Sequence, residues 1–77
     1  MTRLKEVRIS KKLTQKELSE KTGLSLRSIQ HYEQGGKDFD HARLNTILTV
    51  CEALECTLED ILDSQELIDK LNRVQHN

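Results

Sequence analysis

The chain reads as an all-α protein of five short helices and a helical tail, with no strands. Three observations predict this. Its 77 residues hold no Pro and only three Gly, the two residue types least tolerated inside a helix. Helix start and stop signals recur at short intervals along the chain. Between them, apolar residues fall three or four apart, the spacing that lines one helix face.

Residues 2–12 place Leu4 and Val7 on one face among Arg3, Lys5, Arg8, Lys11 and Lys12, a basic amphipathic first helix. Thr14 followed by Glu17 is a capping box, in which the Thr oxygen and the Glu carboxylate each satisfy a free N–H. A second helix therefore starts near Gln15. Gly23 stops it, because Gly adopts the left-handed conformation a helix end requires. Ser25 caps a third helix that runs to about Gln34, and Gly35-Gly36 ends it. Asp40 is the expected cap of a fourth helix over 41–54. Its apolar set is Leu44, Ile47, Leu48, Val50, Cys51 and Leu54, the pattern of a buried face. Thr57 with Asp60 opens a fifth helix over 58–63, turning Leu58, Ile61 and Leu62 inward. Ser64 caps or interrupts a last stretch carrying Leu67, Ile68, Leu71 and Val74. The expected division is a domain at 1–63 and a tail at 64–77. The tail stripe folds back on its own domain, pairs with a second subunit, or frays.

A chain this short buries a modest share of its surface, so pairing with a second copy would help it. No apolar run reaches membrane-span length and no signal-peptide pattern opens the chain; the expected location is the cytoplasm. Cys51 and Cys56 read as reduced, space-filling thiols, with no second Cys pair or nearby His to complete a zinc set. No cofactor or metal is expected. No nucleophile–base arrangement or Gly-rich phosphate loop points to an enzyme.

The net charge is −1, which alone argues against a nucleic-acid partner. Its distribution argues the other way. Residues 1–37 carry nine Lys/Arg and four Asp/Glu, a balance of +5, whereas residues 38–77 carry three and nine, a balance of −6. A basic half beside an acidic half hints at a polyanionic partner for the former.

Residues 15–34 hold the informative pattern. Two helices joined by only a Gly-centred turn cross steeply. Leu18 supplies an apolar contact, Ser19 is small enough for close approach, and Leu24, Ile29 and Tyr32 turn inward. That leaves Leu26, Arg27, Ser28, Gln30, His31 and Gln34 for solvent or DNA, and these side chains include donors that bind base edges and phosphates.

The run from Thr14 to Ser25, then Ile29, then Tyr32-Glu33-Gln34-Gly35, resembles the Cro/phage-repressor (XRE-type) helix-turn-helix family. Leu48 to Leu54 followed by residues 56–62 resembles that family's fourth and fifth helices, so the likeness spans about residues 3–62. It implies a compact, lambda-repressor-like five-helix bundle, sequence-specific duplex binding and a two-fold dimer on a palindromic site. It also implies that Gln15 contacts a phosphate, that His31 faces the groove, and that an Arg8–Glu33 ion pair ties the first helix to the third. Arg27 is the strongest base reader, since Arg binds guanine O6 and N7 together. Ser25 and Ser28 are short donors suited to phosphates. Lys37, just past the glycines, is a further phosphate contact. Leu26 is apolar at a position the family often uses to touch bases; it either meets a thymine methyl or reduces the number of polar base contacts. Lys11 and Lys12 either add to the phosphate contacts or, as is commoner for such lysines, are simply solvated. Glu55 stands where the family often has Gly; either it adopts an unusual conformation or the helix ends differently.

The expected function is a DNA-binding transcriptional regulator, a repressor of phage, mobile-element or toxin–antitoxin type, acting as a homodimer. The alternative is a protein-binding antitoxin or adaptor that engages a protein partner through the acidic half or the apolar tail.

Overall fold

The computed structural model describes residues 1–75; the last two positions of the expected tail, 76 and 77, lie outside the described residues. Six α-helices and one 3-10 turn follow one another, with no strand among the described residues.

Helix α1 (Arg3–Ser10) is capped by Thr2, whose hydroxyl accepts from the Lys5 N–H. It is shorter than the expected 2–12, because Lys12 turns left-handed at φ 59°. Helix α2 (Gln15–Thr22) opens on the expected capping box. The Thr14 hydroxyl accepts from Glu17 N–H at 3.0 Å, and the Glu17 carboxylate accepts from Thr14 N–H at 2.9 Å. Gly23 ends it at φ 77°. Helix α3 (Leu26–Gln34) is capped by Ser25 and ends on Gly35 at φ 84°.

The segment after α3 departs from expectation. Instead of a helix from 41 capped by Asp40, a 3-10 turn spans Phe39–His41 with Asp38 as its cap, and α4 covers Leu44–Leu54. Arg43 precedes α4 without a side-chain cap. The Asp40 carboxylate is used elsewhere: it accepts from the backbone N–H groups of Asp63 at 2.9 Å and Ser64 at 2.6 Å. A carboxylate close to two free N–H groups is drawn to them whether or not they belong to its own helix.

Helix α5 spans only Leu58–Ile61, shorter than the expected 58–63, under a second capping box from Thr57 and Asp60. Helix α6 (Gln65–Gln75) follows, with the Ser64 hydroxyl accepting from Leu67 N–H.

α1 packs on α3 and α5, α2 on α3 and α4, and α4 on α5. Their shared core holds Leu4, Leu18, Ile29, Ile47, Val50, Cys51, Leu54 and Ile61. Phe39 joins them from the 3-10 turn. Burying this apolar set is the main stabilising term. Two residues of the expected α4 core face, Leu44 and Leu48, are instead exposed, at 64% and 45%. They lie four apart on one edge of the helix, and Leu44 lines an open groove together with Leu58 of α5 and Leu71 of α6. In α6, Ile68 is buried and Leu67 and Leu71 are half-buried, while Val74 is 74% exposed.

Candidate nucleic-acid interface

The α2–turn–α3 unit is held rigid by hydrogen bonds that its sequence dictates. The Ser19 hydroxyl donates to the Leu24 carbonyl at 2.6 Å, closing the turn. The Thr22 hydroxyl donates to the Leu18 carbonyl and accepts from Leu24 N–H. The Glu17 carboxyl is held below its ordinary value by the Thr14 backbone N–H, so the cap is ionised at neutral pH.

Behind α3, Arg8 and Glu33 form the expected pair. Arg8 Nε and Nη2 donate to the two Glu33 oxygens at 2.7 and 3.0 Å, a fork-on-fork geometry. Arg8 Nη1 donates to the Leu13 carbonyl at 2.7 Å. No buried side-chain polar atom among the described residues lacks a partner. The pair thus fixes the inner side of α3 relative to α1.

With Ile29 and Glu33 buried, the opposite side of α3 is set by the helical repeat. Arg27, Gln30, His31 and Gln34 fall on it. Arg27 is exposed, and Gln30 and His31 are half-buried. Leu26, at the first position of α3, is exposed. Ser25 and Ser28 sit at the helix start, where the Ser25 hydroxyl accepts from Ser28 N–H and donates to the Ser28 hydroxyl at 2.9 Å. Ser25 is therefore already committed as a cap, whereas the Ser28 hydroxyl keeps its own proton for an outside acceptor.

Gln15, the first residue of α2, is less free than its sequence position implies. Its Nε2 donates to Glu33 Oε1 at 3.0 Å. The same bond brings the start of α2 beside the far end of α3. Lys37 is exposed just beyond that end, its ammonium 5.7 Å from the centre of the Tyr32 ring. Tyr32 packs edge-on against Phe39, with ring centres 5.3 Å apart. A chain of contacts from the core aromatic to the surface cation thereby steadies Lys37. The eight expected positions therefore gather on α3, at its two ends and on the first turn of α2.

The Gln15–Glu33 bond and the Phe39–Tyr32–Lys37 stack were not read from sequence. The first had no periodic signal. The second had one overlooked cue: Phe39 and Tyr32 are the chain's two aromatic residues.

Among the described residues no group of three or more His, Cys, Asp or Glu could hold a metal ion, and no helix is long and apolar enough to cross a membrane. Residues 3–66 match the family model of the Cro/C1-type helix-turn-helix DNA-binding domain. No curated protein and no solved structure matches the chain.

Proposed function

We propose that this chain, which belongs to the Cro/C1-type helix-turn-helix DNA-binding family, represses transcription by covering a palindromic operator as a homodimer, as regulators of phage, mobile-element or toxin–antitoxin type do. The observation that carries this reading is the outer side of α3: Arg27, Gln30 and His31 share it, backed by a buried Arg8–Glu33 pair. Leu26 joins it at the helix start. In this reading α3 enters the major groove. Arg27 reads a guanine, Gln30 and His31 meet base edges, and Leu26 meets a thymine methyl. Gln15, Ser25, Ser28 and Lys37 hold phosphates on either side, fixing register without reading sequence. Occlusion of a promoter needs nothing beyond that binding, and the compartment is the cytoplasm.

Salt dependence tests it. Each phosphate neutralised by a cation releases condensed counterion, so affinity for labelled duplex falls as salt rises, and a steep fall requires Arg27, Lys11 or Lys12 to add to the single charge of Lys37. Lys37→Ala weakens binding to all sequences alike and lowers the salt slope by about one. Gln15→Ala also weakens all sequences but leaves the slope unchanged, because glutamine is neutral. A salt-independent response, or no duplex binding at low salt, would discard the reading.

A further inference from the structure

We propose that the apolar groove between α4 and α6 seats a second copy of this chain, with the two α6 helices antiparallel across a two-fold axis. The groove has a volume of about 290 Å³ and is walled by Leu44, Leu67, Leu71 and Val74, with Asp40 and Lys70 its polar members. Leu48 extends the exposed apolar edge of α4 one turn beyond Leu44. Apolar side chains left outward on two adjacent helices mark an interaction surface. Most of α6 lies past residue 66, where the family match ends.

The charge order of α6 selects the occupant. Glu66 and Asp69 lie in its first half and Lys70 and Arg73 in its second. A two-fold contact is self-complementary, so residue i of one copy meets residue j of the other and the reverse. Antiparallel pairing lays the acidic half of each helix along the basic half of its partner; parallel pairing would set like against like. Within one copy, Lys70 and Glu66 make only a loose contact at 3.6 Å with both side chains mostly exposed, so they are free to exchange it for a partner across the axis. The rest of residues 38–77 is acidic: of its three cations two, Lys70 and Arg73, are on α6. α6 itself is balanced, with two acids and two bases. The Asp40 bonds to Asp63 and Ser64 tie the residues just before α6 to the turn that follows α3.

This inference rests on the homodimer reading above, and the test keeps the two apart. Sedimentation of the full chain over a concentration range is compared with Lys70→Glu/Arg73→Glu, which makes α6 acidic throughout, and with Glu66→Lys/Asp69→Lys, which makes it basic throughout. Each variant should self-associate about tenfold or more weakly than the parent, because like charges then face each other. An equimolar mixture of the two should regain association as a one-to-one heterodimer, which also shows that both variants are folded. None of these four residues is on α3, so affinity for a single half-site duplex should be the same in all forms. A parent chain that stays monomeric, charge variants that associate as the parent does, or a mixture that gains nothing would overturn the proposal. Association with the expected charge dependence but no duplex binding in any form would sink the DNA reading and uphold the interface.

Discussion

Glu33 shows how much a single residue carries here. Its side chain is 1% exposed and its oxygens receive two bonds from Arg8 and one from Gln15. A charge taken this far out of water persists because both of its oxygens are hydrogen-bonded and one partner carries the opposite charge. Removing one partner strands the other. Arg8→Met and Glu33→Gln should each cost about 3–5 kcal/mol of stability, measured by denaturant unfolding. The double variant should lose clearly less than the sum, because neither charge is then left alone. Losses that simply add would mean the two residues do not support each other. The pair was legible through family resemblance. Gln15 as its third member was not, because a bond spanning 18 residues leaves no local signature. Cys51 agrees with its reading as a space-filling thiol: burial pushes it up to about 12, so it stays protonated at neutral pH.

At the scale of elements, helix starts were readable where a capping side chain serves its own helix. Thr14, Ser25 and Thr57 all do so. Asp40 misled because its carboxylate serves the α5–α6 connection instead. The core face of α4 was over-read for a related reason. Spacing shows that Leu44 and Leu48 lie near one face, but not that the edge they form is left exposed. Glu55 resolves the open question about the end of α4: it takes the left-handed conformation itself, at φ 53° and ψ 48°. A side chain there costs roughly 1–2 kcal/mol relative to an unstrained backbone. Part of that returns on Glu55→Gly, offset by the greater freedom of glycine in the unfolded chain. The net result should be a stability gain of up to about 1 kcal/mol, seen as a higher thermal midpoint. Glu52→Gly, inside the same helix, should instead lose about 1 kcal/mol. A Glu55→Gly variant no more stable than the parent would show that the conformation is not strained.

For the whole molecule, the division of charge already visible in the sequence takes a spatial meaning. The basic half folds into α1, α2 and α3 and presents the outer side of α3. The acidic half forms α4, α5 and α6 and carries the open groove. Fold class and the position of the helix-turn-helix were legible because caps, glycines and apolar spacing are local signals. The placement of α6 was not, since it depends on Asp40, 23 and 24 residues away from its two partners. The central claim is that this architecture reads a specific duplex sequence. Selection of bound fragments from a random duplex pool tests it most directly, run in parallel for the parent chain and Arg27→Ala. The account predicts that the parent enriches a two-fold symmetric sequence whose half-sites are centred about one helical turn, roughly 34 Å, apart. Arg27→Ala should lose about 1–3 kcal/mol on that sequence and relax its preference at one base pair, a G·C. A parent pool with no enriched sequence would contradict the claim. An Arg27→Ala pool enriching the same sequence at uniformly lower affinity would move Arg27 to the phosphates and leave base reading to Gln30, His31 or DNA shape.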